Sequence, residues 1–243
     1  MVTTLHALRN FNQVVFPHLR INFLYMKLTI PVDINKYPVS QWFGVCHAST
    51  CKFYEELGLL SHNGLDFKTP IGTPVKSAHE GTLTTGIYAD GTWWAKVTNI
   101  KTGLMTVYFH LSKFNIPSGT FVKEGKVIAF SGNSGKYTTG PHLHFGIYEI
   151  NGNGNIKNYS NGYKGAVNPE PYLATRFPNG TLAKTPFESK VYLIRNGVKW
   201  WLDSEDTFKS YMGYSIGKEK NIKTMDLITY RNYPYATIGL LKV

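Results

Sequence analysis

GPHLHFGIYEI, residues 140–150, decides how this chain is read. Apolar residues alternate with polar ones behind Gly140-Pro141, the period of a strand with one buried face. Alternate residues on a strand share a face. His142 and His144 therefore point one way, while Leu143 and Phe145 point the other way into a core. Two histidines on the polar face of an amphipathic strand need no function. Their meaning depends on what other segments bring to the same face.

Outward from this strand the chain reads as mainly β. From about residue 70, short β-rich runs are punctuated by the hairpin signals Asp90-Gly91 and Lys101-Thr102-Gly103, and GKVIAFSG (125–132) is a further strand bounded by glycines. CKFYEELGLL (51–60) is the one helix-like stretch before them, and NGNGNIKNYSNGYKG (151–165) is a polar loop. A second β-rich patch begins at Lys190, with Asn196-Gly197 as its hairpin signal and a short helix over 204–212 opened by Ser204. The expected organisation is an N-terminal extension over 1–35, a main domain over 36–174, a linker over 175–187 marked by Pro178 and Pro186, and a small β-rich appendage over 188–243. The first 25 residues are expected to be peripheral, because Arg9, His18 and Arg20 interrupt any signal-peptide core there.

Composition limits the partners. The chain has 243 residues and is 42% hydrophobic, which suits a packed domain. Lys and Arg number 26 against 15 Asp and Glu, a net charge of +11 that favours an anionic partner. No basic run exceeds two residues and no nucleic-acid-binding motif is present, so nucleic acid is not the expected partner. No stretch approaches the roughly 18 uninterrupted apolar residues of a membrane span, and none is expected to cross one.

The chemistry-bearing residues fall on three segments. SHNGLDF (61–67) places His62 and Asp66 four apart, and Asn63-Gly64 argues for an extended or turning backbone. If that segment is extended, residues 62, 64 and 66 share a face and Gly64 leaves room on it. His62, Asp66 and His144 then form a three-ligand set of the kind that holds a catalytic zinc with one position open. His110, in TVYFHLSKF (106–114), adds a third extended segment to the same face.

HxxxD at 62–66, the YxHLS-like segment at 108–112 and GPHLHF at 140–145, in that order, resemble the M23 family of zinc metallopeptidases, the LytM and lysostaphin type. The resemblance runs from about Lys36 to Leu173 and includes QWFG (41–44), GTPV (72–75), the stretch 122–145 and VNPEPYL (167–173). It implies a compact antiparallel β-sheet fold with a groove, one zinc ion, and hydrolysis of peptide bonds in peptidoglycan. It also implies His62, Asp66 and His144 as zinc ligands, with His110 and His142 as catalytic histidines that do not bind the metal. Such an enzyme works outside the cell or in the cell envelope, on a peptidoglycan peptide among anionic wall polymers, and is expected to be a monomer. The alternative is a non-catalytic relative that binds wall peptides or activates another hydrolase. Loss of a metal ligand marks that class, and here all five positions are filled.

Other residues carry weaker readings. Cys46 and Cys51 are compatible with a local disulfide, part of a metal site or two free thiols. Their segment is an insertion that is expected to rim the groove. His79 reads as a surface histidine, and His6, His18 and His47 have no motif context. Of Trp93 and Trp94, one ring is expected to pack inward and one outward. Trp200 and Trp201 suit either carbohydrate binding or the appendage's own small core. With every motif residue before position 145, deletion of the tail is expected to leave the metal site intact.

Overall fold

A computed structural model describes residues 27–46, 51–175, 177–178, 180–195, 197–202, 204, 206 and 221–233. Strands dominate and pair almost entirely antiparallel, as the alternation predicts. The largest sheet joins β1 (Val39–Gln41), β2 (Leu65–Phe67), β10 (Leu143–Glu149), β6 (Leu104–Phe109), β5 (Trp93–Asn99), β4 (Gly81–Ile87) and β8 (Phe121–Val122) in that order, with β11 (Ala166–Val167) also on β10. A second sheet orders β3 (Pro74–Lys76), β9 (Val127–Ser131) and β7 (Leu111–Phe114). The turns expected at Asp90-Gly91 and at 101–103 connect β4 to β5 and β5 to β6.

The main core includes Leu65, Phe67, Leu83, Leu111, Ile128, Leu143 and Phe145, all inaccessible to solvent. Strand β10 is buried on both faces over most of its length, although its sequence alternates. Ile156 and Tyr163, from the Asn/Gly-rich loop at 151–165, fold back with Phe43 over Met105, Val107 and Tyr148 and cover the second face. At its other end β10 carries His144, which is also buried and borders the groove.

Several boundaries differ from expectation. Leu28 and Val32, inside the stretch read as an N-terminal extension over 1–35, belong to the main core. Leu28 N–H donates to Tyr172 O (2.8 Å) and Thr29 N–H to Ala78 O (2.9 Å), tying this segment down. Residues 1–26 lie outside the described residues. Within the expected linker, β12 (Thr181–Lys184) pairs with β13 (Val191–Arg195), which pairs with β14 (Val198–Leu202). A short parallel strand, β15 (Lys223–Thr224), completes this C-terminal sheet on β12. The helix expected over 204–212 falls largely outside the described residues. The C-terminal sheet has its own cluster around Leu193 and Leu202, against which Trp200 packs, while Trp201 stays partly exposed.

The tail is not detached. Its helix α3 (Leu227–Asn232) is capped by Asp226, whose side chain accepts from Thr229 N–H, and it packs against α2 (Glu170–Leu173). Ile228 is fully buried in the main core, and Thr175 N–H donates to Thr229 Oγ1 (2.8 Å).

His79 is buried, not on the surface. Its Nδ1–H donates to Glu80 O (2.9 Å), and Thr106 Oγ1–H donates to its Nε2 (3.1 Å). Tyr108 OH then donates to Thr106 Oγ1 and accepts from Ala78 N–H, so every polar atom in the chain of bonds is satisfied. Trp93 packs on the core and against Phe114, while Trp94 lies over Gly86 and stacks with Tyr88. Both rings pack, at the start of β5.

Candidate metal centre and groove

Register builds the centre. His144 on β10 lies directly opposite Asp66 on β2 and, on its other side, opposite Phe109 on β6. Facing residues in an antiparallel pair send side chains to the same face. His144 Nδ1 reaches 3.0 Å from Asp66 Oδ1, and the Phe109 ring stacks on its imidazole. His62, just before β2, brings Nε2 to 3.1 Å from Asp66 Oδ1 and 3.0 Å from His144 Nδ1.

Gly64 makes this approach possible, in a stricter sense than the sequence suggests. A Cβ there would lie 2.5 Å from Phe145 O and 2.7 Å from the His144 ring. The glycine clears space for the facing strand and its imidazole, not only for its own neighbours.

The three ligand atoms fit a divalent cation. His62 Nδ1–H donates to Trp42 O (3.1 Å), which leaves Nε2 with a lone pair turned inward. A carboxylate oxygen and His144 Nδ1 meet that lone pair, and one shared proton cannot satisfy all three. Zinc bonds of 2.0–2.2 Å at tetrahedral angles separate donors by about 3.3–3.6 Å. The observed triangle needs to open by only a few tenths of an ångström. His144 Nε2, on the far side of its ring, is buried without a hydrogen-bond partner among the described residues. Burial alone would raise the Asp66 pKa, but His62 and His144 outweigh it and hold the carboxyl well below the usual range. Burial lowers the His144 pKa, with Asp66 opposing. Both groups are thus kept in their ligating forms.

His110 and His142 stand beside this triangle with ring centroids 4.5 Å apart. His142 Nε2 is 3.7 Å from Asp66 Oδ2. Each histidine donates its Nδ1–H to a carbonyl of one loop: His110 to Ser134 O and His142 to Gly140 O, both at 2.8 Å. In the neutral form Nε2 is then the acceptor in both. Burial, with His142 adding to it, pushes His110 down to about 4, so it is an unprotonated base near neutral pH. His110 has φ 62°, a left-handed conformation that is uncommon outside glycine and is often found at functional sites.

The groove has a volume of about 750 Å³ and is lined by aromatic, aliphatic and polar side chains, Lys96 and Lys164 among them. One rim is the cysteine-bearing insertion. Cys46 and Cys51 are disulfide-bonded at the start of α1 (Cys51–Glu56), so a local disulfide is the form found. Phe53 of α1 meets Tyr137 of the 133–140 loop edge to face (centroids 5.0 Å), joining the two rims. Tyr54 is buried with its ring 5.9 Å from that of His62, and its hydroxyl accepts from Gln41 Nε2 (2.8 Å).

All five residues singled out in the sequence meet in this groove. His47, His6 and His18 lie outside the described residues. Sequence reasoning missed Tyr54, Tyr137 and the carbonyls of Trp42, Ser134 and Gly140. The tyrosines sat in a helix and a loop without a motif, and a carbonyl has no letter of its own.

Residues 60–159 match the family described as Peptidase family M23. An "Uncharacterized metalloprotease" of Haemophilus influenzae is 38% identical over 136 residues, 55% of this chain and 25% of that protein. "Peptidoglycan DD-endopeptidase ShyA" of Vibrio cholerae is 41% identical over 86 residues, 35% of this chain and 19% of that protein. The crystallised catalytic domain of lysostaphin from Staphylococcus simulans is 29% identical, with a TM-score of 0.46 over 58% of this chain and 94% of that one. The chain spans a quarter or less of the length of these two curated relatives.

Proposed function

We propose, from the match of residues 60–159 to peptidase family M23, that the chain is a zinc-dependent endopeptidase hydrolysing peptide bonds in peptidoglycan. The observation that carries this reading is the Asp66-centred triangle with two neutral-capable histidines beside it. His62, Asp66 and His144 would hold the zinc ion. Zinc, when bound, polarises the scissile carbonyl and lowers the pKa of a water from about 15.7 towards about 7. His110 and His142 handle the proton: an Nε2 lone pair accepts the proton of the attacking water, and the imidazolium so formed passes that proton to the leaving amine nitrogen. Their Nδ1–H bonds to loop carbonyls fix the tautomer that leaves each Nε2 free to accept a proton first and to donate it afterwards. The alternative, a non-catalytic wall-binding or hydrolase-activating protein, is disfavoured because all five groups are present and converge.

The anionic surroundings of a bacterial wall suit the net charge of +11, and the working place would be the cell envelope or outside the cell. Among the described residues no helix is long and apolar enough to cross a membrane. The C-terminal sheet, with Trp201 partly exposed and Lys190 over its ring, would add attachment to wall polymers.

The test is mass spectrometry of muropeptides released from purified walls of several chemotypes, with and without a chelator. Chelator-sensitive release of new amino termini is expected. Release that persists in the chelator, or none from any wall, would refute the reading.

A further inference from the structure

The tail reaches the metal centre through one arginine. Arg231 on α3 places its guanidinium 4.0 Å from the centroid of the Trp42 ring, and its Nε donates to Glu170 Oε2 (3.2 Å). Glu170 is itself buried at the start of α2. The guanidinium is therefore pinned between a buried carboxylate and an indole face, a geometry that suits a planar, delocalised cation better than an ammonium. The helix that carries it is fixed by Ile228 in the core and by the Thr175–Thr229 bond.

Trp42 in turn holds His62 at two points. Its carbonyl accepts His62 Nδ1–H, and Gly44 N–H, two residues on, donates to His62 O (2.8 Å). The ring and the backbone of His62 are thus both gripped by the turn that Arg231 covers. Partners that orient a metal-binding histidine through its other ring nitrogen commonly change metal affinity by about 10- to 100-fold.

We propose that Arg231 is a positioning residue for His62, so that the C-terminal module completes the metal site as well as following it in sequence. The inference rests on the proposed role of His62 as a zinc ligand. It reverses the expectation that the tail can be removed without consequence for the site.

The experiment is competition for zinc between a chromogenic chelator and the full-length chain, with thermal melting of each metal-free protein alongside. Arg231→Ala should weaken zinc binding about tenfold, the low end for an orienting partner because it acts one residue further out. Arg231→Lys should recover only part of that loss, since it keeps the charge but not the planar stack. Thr229→Val removes the Thr175–Thr229 anchor of α3 without touching Trp42. It should lower the melting temperature yet leave zinc affinity as in the unaltered chain. Wild-type affinity in Arg231→Ala, or an equal loss in Arg231→Ala and Thr229→Val, overturns the positioning role. Unchanged zinc binding in a His62→Ala control overturns the ligand assignment, and the inference with it.

Discussion

The triangle of His62, Asp66 and His144 and the histidine pair beside it share one groove but hang from different supports. His144 and Asp66 face each other across the β2–β10 ladder, so the hydrogen-bond register of the main sheet sets their separation. His110 and His142 take their orientation from Ser134 and Gly140, two carbonyls of one loop between β9 and β10. The first arrangement can shift only if a strand slips. The second can shift whenever the loop does. Metal binding and turnover should therefore be separable by mutation.

The largest separation is expected between His144→Ala and His142→Ala. The first should lose the zinc and essentially all activity. The second should keep the zinc and lose turnover by about 10²- to 10⁴-fold, the range for a general acid–base group. Metal analysis and muropeptide release on the same preparations check this. Zinc loss in both variants would erase the distinction.

Two glycines sharpen the comparison at smaller scale. Gly64→Ala drives a methyl into Phe145 O and the His144 ring, and should weaken zinc binding by about 10- to 100-fold. Gly135 (φ 97°) lies in the 133–140 loop, where a Cβ would collide with Thr92 Oγ1. Gly135→Ala should reduce kcat by up to about 10²-fold through misplaced histidines while zinc affinity stays put. Equal effects on zinc would place the loop among the metal supports.

The smallest effect concerns His79, a histidine buried beneath the sheet and outside the groove. Burial lowers its pKa below the ordinary value of about 6.5. A depressed folded-state pKa means the unfolded chain binds the proton first. The contribution to stability is complete above about pH 6.5 and is lost as pH falls below it, with a slope of at most about 1.4 kcal/mol per pH unit. In urea titrations between pH 7.5 and 5, His79→Gln should flatten that slope. An unchanged slope would assign the acid sensitivity to the groove histidines.

The triad and the pair were legible because their spacing reflects strand geometry. HxH puts two rings on one face, and the glycine between His62 and Asp66 marks a close approach. His79 was misread because its partners, Thr106 and Tyr108, lie on a strand more than 25 residues away. The docking of the tail was invisible for a similar reason. Ile228, Thr229 and Arg231 carry it, and none of them disturbs the local pattern. The start of the main domain came out too late because Leu28 and Val32 join the core from a stretch with no regular strand or helix period. The doubly buried β10 could not be foreseen either, since the loop that covers it is mostly Asn, Gly and Lys, and Ile156 and Tyr163 are the side chains it packs there.

The corner at His110 has an evolutionary side. This single residue joins β6 in one sheet to β7 in another, with its backbone in the left-handed region. Glycine, asparagine and aspartate accept that conformation most readily, but none carries an imidazole. Larger or β-branched residues would strain the turn between the sheets. A lineage that abandoned the reaction while keeping the architecture would drift here along a narrow path, towards glycine, asparagine or aspartate. Selection for folding alone would narrow the choice at this position without keeping the imidazole, so a histidine kept here would report on chemistry.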